Sequence, residues 1–245
     1  MEQIYARTKT IQEDKVSGFC PGCMHSTAIK LIGEVLDEMN LVDKAACVLG
    51  IGCCGLHMDY MAYDNTTAPH GRACAVATGI KKANPGSLVF TYQGDGDFAS
   101  IGLAESMSAA NRGENITVIF INNGIYGMTG GQMAPTTLVG MKATTAPGGR
   151  DPKEHGYPMH MCEILNQLTA PAYLVRTSCN TPANVIKTKN AIKKAFQNQL
   201  DNKGFSMVEI VTSCPTNWGL DALKALDFIE EKMLPEFPLG VIRDK

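Results

Sequence analysis

Asp95 stands in the turn YQGDGDFASIG, and the pair Asn122-Asn123 follows one apparent helix and one apparent strand later. Asp95 and Asn123 are 28 positions apart. Across a β-α-β unit of that length, a carboxylate and an amide oxygen meet at the carboxyl edge of one parallel sheet. Such a pair suits a divalent cation that holds a diphosphate. Asp95 offers a hard anionic oxygen and Asn123 a neutral one, and phosphate, a backbone carbonyl and water complete a near-octahedral Mg²⁺. Gly94 and Gly96 would let the backbone approach the phosphates, and the helix that follows directs its N-terminus at negative charge. Alone, a Gly-Asp-Gly is a tight turn and Asn123-Gly124 a hairpin signal. At this spacing the two together favour the cation and diphosphate.

A second set of residues is the cysteines, nine in 245 residues. Nine is odd, and the polar start MEQIYARTKTIQEDK has no apolar export core, so a disulfide framework is not expected. Cys20 and Cys23 form a C-x-x-C pair in FCPGC, Cys53 ends GIGC, and Cys214 lies in TSCPTNW. A pair and two remote cysteines at loop or strand ends are compatible with tetrathiolate ligation, of a [4Fe–4S] cluster or of structural zinc. A thioredoxin-like redox pair is the third reading, weakened by the polar, unpatterned stretch before Cys20. Cys54 adjoins Cys53 and competes with it as ligand. Cys47 and Cys74 sit in apolar contexts and read as core thiols, and Cys162 and Cys179 have no partner pattern.

The elements that must position these residues alternate in type. Ala28, Leu31, Ile32, Val35, Leu36 and Met39 mark one face of a helix, and residues 46–51 read as a strand leading into Gly52-Cys53-Cys54-Gly55. A helix over 72–83, a strand over 88–92, a helix over 100–112 and a strand over 116–121 follow. Residues 127–160 are rich in Gly, Pro and Thr without a period, and a loop of that length in a compact domain is usually functional. Helices near 161–169, 183–198 and 220–233 alternate with strands at 172–176 and 207–212. The short apolar runs suit strands buried on both faces. The fold class expected is α/β, a single doubly wound, mostly parallel sheet spanning residues 1–245, with Cys53, Asp95, Asn123 and Cys214 at strand carboxyl ends. The net charge of -2 gives no electrostatic case for nucleic acid or anionic membrane, and no apolar run is long enough to span a bilayer. A cytoplasmic location is expected.

Taken in order, FCPGC, GIGC, HGRACAVATGIK, the GDGD and NN pair, IYGMTGGQ and CPTNW resemble one family over nearly the whole chain, from about residue 16 onward. It is the thiamine-diphosphate-binding beta subunit of the 2-oxoacid:ferredoxin oxidoreductases. Within it, TYQGDGDFASIG, GGQMAPTT, GRDP and CPTNWG most resemble the branched-chain (2-oxoisovalerate) enzymes. The resemblance implies that Asp95, Asn123 and the main-chain carbonyl of Ile125 ligate Mg²⁺. Gly94, Gly96 and Asp97 would lie by the diphosphate, and Cys20, Cys23, Cys53 and Cys214 would hold a [4Fe–4S] cluster. His70 matches an active-site histidine, with a loop-tying role as its alternative, and Met128 lies in the loop lining the substrate pocket.

Two departures stand out: Met24 occurs where many relatives have Gly, and Leu56 occupies a region where 2-oxoglutarate enzymes can carry a basic residue. An apolar wall there would favour an apolar acyl chain, because a second substrate carboxylate would go unpaired. The implied activity is CoA-dependent oxidative decarboxylation of 2-oxoacids, with electrons passed singly through the cluster to ferredoxin. 2-Oxoglutarate or pyruvate as substrate, and a non-oxidative thiamine-dependent decarboxylase, are the alternatives. The glutamate that activates thiamine diphosphate has no candidate in this chain. It is expected from an alpha-type partner subunit, with further iron–sulfur or gamma subunits completing the assembly.

Overall fold

In the computed structural model, which describes residues 8–245, one seven-stranded sheet organises the chain. The polar residues 1–7 lie outside the described residues. In chain order come α1 (His25–Glu38), β1 (Ala45–Leu49), β2 (Asp64–Thr67), α2 (Ala73–Ala83), β3 (Leu88–Gly94), α3 (Leu103–Asn111) and β4 (Thr117–Asn122). A two-stranded hairpin, β5 (Ile125–Tyr126) and β6 (Gln132–Met133), precedes two short helices, α4 (Pro152–His155) and α5 (Met161–Asn166). Then follow β7 (Tyr173–Ser178), α6 (Pro182–Leu200), β8 (Ser206–Val211), α7 (Pro215–Trp218), α8 (Ala222–Phe228) and β9 (Gly240–Asp244). A π-helical turn over Asp97–Ile101 links β3 to α3.

The sheet runs β2-β1-β3-β4-β8-β7-β9, with every pair parallel except β9 against β7. The order explains the site. β1, β3, β4 and β8 are consecutive neighbours, and all four point their carboxyl ends the same way. Cys53, Asp95, Asn123 and Cys214 each follow one of them, so residues from distant parts of the chain share one edge.

Alternation along the strands builds two cores. Leu49, Phe90, Tyr92, Ile119, Ile121 and Ile210 face a layer with Ile32 and Leu36 of α1 and Ile192 and Phe196 of α6. Val48, Val89, Val118, Phe120 and Met207 face the opposite layer, with Ala77 of α2 and Ala110 of α3. Neighbouring residues thus bury on opposite faces, as the two-residue repeat of a strand requires. β4, β7 and β8 are buried along their whole length, and charged residues on them are paired inside: Arg176 of β7 meets Glu209 of β8, which accepts from Asn122 of β4. Helix α6 starts at a Thr181 cap, whose side chain accepts the Asn184 N–H, with Pro182 in its first turn.

The expected helices and strands occur within a few residues of their predicted limits. Besides the short helices α4 and α7, the strands β2, β9 and the β5–β6 hairpin were not anticipated. β2, Asp-Asn-Thr-Thr, is an exposed edge strand with no apolar alternation. β9 is the antiparallel edge at the other side, and the β5–β6 hairpin lies inside the stretch read as a loop. That stretch is well bonded: the Arg150 guanidinium, 5 % exposed, donates to the carbonyls of Ala134, Pro135, Thr137, His155, Gly156 and Tyr157.

Candidate active site

A cleft opens at the carboxyl edge between β1, β3 and β4. Ile51, Cys53, His70, Gly94, Asp95, Asp97, Asn123, Ile125 and Met128 are among its lining residues. The residues proposed from the sequence for the cation and the diphosphate therefore converge, together with His70 and Met128. Cys53 is the cluster candidate that reaches the cleft wall.

Asp95 is 2 % exposed and bonded to neutral partners only. Its Oδ1 accepts from the Gly96 N–H at 2.9 Å, and its Oδ2 accepts from the Thr136 hydroxyl at 2.6 Å. Burial pushes its carboxyl up to about 6, and the Thr136 hydroxyl and backbone N–H groups of Gly96, Gly124 and Ile125 oppose that rise. A buried carboxylate with no cationic side chain beside it has the chemistry of a cation ligand. Asn123, 6 % exposed, keeps Oδ1 oriented by accepting from the Ile125 N–H at 3.1 Å. Behind it, Asn122 donates to Glu209 Oε1 at 2.8 Å, and Glu209 is paired at 2.9 Å with the buried Arg176.

The two glycines differ in reason. A Cβ on Gly94 would meet nothing within 4 Å, so the open space beside the cleft belongs to whatever binds there. A Cβ on Gly96 would run into the ring of Tyr126, whose hydroxyl donates to the Gly96 carbonyl at 3.2 Å. Tyr126 packing alone therefore requires glycine at 96.

Asp97 lines the cleft, yet its oxygens are taken. Oδ2 accepts from the Gln93 side chain at 2.6 Å, and Oδ1 accepts from the N–H groups of Ile51 at 3.1 Å and Gly71 at 2.9 Å. His70 Nδ1 lies 2.7 Å from the same Oδ1, at charge-pair distance but outside hydrogen-bond alignment. Asp97 thus ties the turn after β1 to the loop before α2 and stands behind His70. His70, with its side chain 31 % exposed, faces the cleft near Tyr126. Met128 lines the cleft and is half exposed. Leu56 is not among the lining residues; it packs beside Gly18, and the apolar lining comes from Ile51, Ile125 and Met128.

The four candidate thiols face one another around one end of the cleft. Cys23 is pushed up to about 12, by burial first and also by Cys214, Cys53 and Cys20. Cys53 is pushed up to about 11 by burial, with Cys214 and Cys20 adding to it, and Cys214 is raised by burial with a further contribution from Cys20. The four sulfurs are near enough to repel as thiolates, and no basic side chain offsets this. A Cβ on Gly127 would stand 3.3 Å from Cys53 Sγ and 3.5 Å from Cys214 Sγ. Among the described residues, no group of three or more His, Cys, Asp or Glu side chains is placed to hold a metal ion. The Ser213 hydroxyl donates to the Gly22 carbonyl at 2.7 Å, which joins the Cys214 loop to the C-x-x-C loop. Cys54 is turned inward, 2 % exposed, with its thiol donating to the Gly50 carbonyl at 3.0 Å. Cys47, Cys74, Cys162 and Cys179 are all buried.

Several site residues were not singled out individually, although each lies in a motif that carried the resemblance: Gln93 in TYQGDGDFASIG, Tyr126 in IYGMTGGQ, Thr136 in GGQMAPTT, Arg150 in GRDP, and Trp218 in CPTNWG, whose Nε1 donates to the Asn123 carbonyl at 3.2 Å. Thr136 and Arg150 fall in the segment flagged as functional for its length. A buried column of His25, Tyr92, His57 and Tyr63 was also unforeseen. His25 Nδ1 and the Tyr92 hydroxyl are 2.8 Å apart, and the Tyr63 hydroxyl is 3.2 Å from His57 Nε2. Burial pushes His25 down to about 3 and His57 down to about 4, so both imidazoles are neutral.

Comparison with known proteins agrees with this geometry. Residues 50–210 match the thiamine pyrophosphate enzyme, C-terminal TPP binding domain family. The chain is 48 % identical over 227 residues to the ketoisovalerate oxidoreductase subunit VorA of Methanothermobacter marburgensis, covering 93 % of this chain and 48 % of that protein. It is 38 % identical over 213 residues to the 2-oxoglutarate synthase subunit KorB of Methanocaldococcus jannaschii, covering 86 % of this chain and 74 % of that one. It therefore spans about half the length of the ketoisovalerate relatives it matches. Among solved structures, a 2-oxoglutarate:ferredoxin oxidoreductase from Magnetococcus marinus, with 2-oxoglutarate, coenzyme A and succinyl-CoA bound, superposes with a TM-score of 0.80 at 26 % identity, over 99 % of this chain and 86 % of that one. No helix among the described residues is long and apolar enough to cross a membrane. The chain belongs to the thiamine-diphosphate-binding subunits of the 2-oxoacid:ferredoxin oxidoreductase family.

Proposed function

We propose that this chain, as one unit over residues 1–245, is the thiamine-diphosphate-binding part of a CoA-dependent 2-oxoacid:ferredoxin oxidoreductase acting on branched-chain 2-oxoacids. The observation that carries it is the meeting of an uncompensated buried carboxylate and four mutually facing thiols at one sheet edge. Asp95, Asn123 and the Ile125 carbonyl would hold Mg²⁺ and through it the diphosphate, in the space that Gly94 leaves open. Cys20, Cys23, Cys53 and Cys214 would hold a [4Fe–4S] cluster. A structural zinc on the same four thiols would need its sulfurs about 3.8 Å apart, from Zn–S bonds of about 2.3 Å. Cys53 rather than Cys54 is the third thiolate, since Cys54 points into the core.

Thiamine diphosphate supplies the carbanion chemistry of decarboxylation, and an adjacent cluster supplies a one-electron exit. The chain's own residues bind, orient and shield. His70, its Nδ1 2.7 Å from the Asp97 carboxylate, would face the substrate from the cleft wall. Ile51, Ile125 and Met128 offer apolar surface to the acyl chain. The 48 % identity to ketoisovalerate oxidoreductase subunits supports a branched substrate. The activating carboxylate would be contributed by an alpha-type partner subunit. Further iron–sulfur or gamma subunits, ferredoxin and coenzyme A would complete the reaction.

Titration of thiamine diphosphate at fixed Mg²⁺ tests the reading. Saturable, Mg²⁺-dependent binding by the wild type that Asp95→Ala abolishes is expected; equal binding by both proteins contradicts it.

A further inference from the structure

The turn Ala134–Thr137 touches both ends of the proposed cation site. The Thr136 hydroxyl, fully buried, donates to Asp95 Oδ2 at 2.6 Å, at the end of β3. The next hydroxyl, Thr137 Oγ1, donates to the Gly124 carbonyl at 2.5 Å, one residue past Asn123 at the end of β4. The same oxygen accepts the Ala134 N–H at 2.8 Å and closes the turn. Adjacent residues thus bridge two strand ends whose key side chains are 28 positions apart.

Arg150 holds this turn. Its Nη1 donates to the Pro135 carbonyl at 2.8 Å, the Thr137 carbonyl at 2.7 Å and the Ala134 carbonyl at 3.4 Å, the three carbonyls around Thr136. Nε and Nη2 take the carbonyls of Gly156, His155 and Tyr157. A nearly buried guanidinium bonded only to backbone carbonyls is costly, because each charged group removed from water must recover its solvation from partners. A loop staple alone could be made from neutral side chains. The fork of Arg150 does more: it fixes the turn from both sides in a planar geometry that Lys cannot copy.

We propose that Thr136 and Thr137, clamped by Arg150, form a brace that sets the separation of Asp95 and Asn123, and so makes the site selective for a small octahedral cation. The inference rests on the cation-binding reading above. Mg²⁺ requires near-ideal geometry with bonds of about 2.0–2.1 Å, whereas Ca²⁺ tolerates about 2.3–2.6 Å and irregular shells. A rigid frame therefore favours Mg²⁺, and a loosened one forfeits that preference. Thr136, Thr137 and Arg150 are positioning residues, since none need touch the cation.

The test uses the full chain with whatever partner subunits accompany it. Thiamine diphosphate binding is titrated by calorimetry with Mg²⁺ and, separately, with Ca²⁺, for wild type, Thr136→Val, Thr136→Ser and Arg150→Lys. Thr136→Val should weaken Mg²⁺-dependent binding about 10–100-fold, the usual cost of losing a partner of a metal ligand. Ca²⁺-dependent binding should fall less, so the Mg²⁺/Ca²⁺ preference drops. Thr136→Ser, which keeps the hydroxyl, should keep the preference, and Arg150→Lys should resemble Thr136→Val. A preference unchanged in Thr136→Val overturns the brace even if overall affinity or thermal stability falls, because a merely structural role would weaken both ions alike. Should Arg150→Lys fail to fold, the two Thr136 variants decide alone. A wild type that binds no thiamine diphosphate with either ion defeats the underlying cation reading instead, and is recognisable because the wild-type arm itself is flat.

Discussion

The two ends of the cleft solve opposite problems. At the Asp95–Asn123 end every oxygen is oriented before anything binds: Gly96 and Thr136 fix the carboxylate and Ile125 fixes the amide. At the cysteine end the ligating atoms are gathered but not prepared. Cys23 and Cys53 are pushed up to about 12 and 11 by burial, with repulsion from Cys214 and Cys20 adding to both. The nearest imidazoles are no help, since burial keeps His25 and His57 neutral. In the proposed reading the carboxylate end waits for its cation, whereas the thiol end would need the metal itself to draw off its protons. One end would then be a preorganised binding site, and the other would be completed by what it binds.

The sharpest way to break this contrast is to damage one end at a time. Cys214→Ser should strip iron from the chain while leaving Mg²⁺-dependent thiamine diphosphate binding within a few-fold of wild type. Asp95→Ala should do the reverse, with a loss larger than the ~10–100-fold typical of outer partners and an unchanged iron content. Joint loss of both groups in either variant would mean that the ends are one unit.

A smaller effect is expected from behind the preorganised end. Glu209 links Asn122 to the buried Arg176, which also pairs with Glu163, so Glu209→Ala strips Asn122 and one side of the guanidinium of their partner and should cost ~1–3 kcal/mol of stability, read as a lowered denaturant midpoint. Gly96→Ala drives a methyl into Tyr126 and should cost ~1–3 kcal/mol, with weakened diphosphate binding visible by titration.

The smallest effect concerns pH at the other end. His57 is held at about 4 by burial, below the usual 6.5, so the unfolded chain binds the extra proton between those values. Its contribution is present above pH 6.5 and is lost as pH falls from about 6.5 toward about 4. His57→Phe should flatten the slope of the denaturation midpoint across that window; an unchanged slope would place the acid sensitivity elsewhere.

Legibility in the sequence followed the range of the interaction. Asp95 and Asn123 were readable because one β-α-β unit converts their spacing into shared position, and buried parallel strands announce themselves as apolar runs. The cysteines were readable as a set only through motif order, since four segments contribute and no local pattern joins them. Asp97 was placed by the diphosphate only through the resemblance, and its carboxylate also joins loops through Ile51 and Gly71, partners that no local pattern shows. Thr136 and Arg150 were invisible individually: their partners lie 41 residues away for Thr136 and in six loop carbonyls for Arg150. β2 was missed because an exposed polar edge strand carries no apolar repeat.

The measurement closest to the central claim is iron, acid-labile sulfide and zinc per chain after anaerobic purification, with iron apportioned by subunit if partners copurify. The account predicts about four iron and four sulfide on this chain, lost in Cys20→Ala, and no stoichiometric zinc. One zinc per chain, or no metal with intact Mg²⁺-dependent thiamine diphosphate binding, would contradict it and point to a non-oxidative decarboxylase.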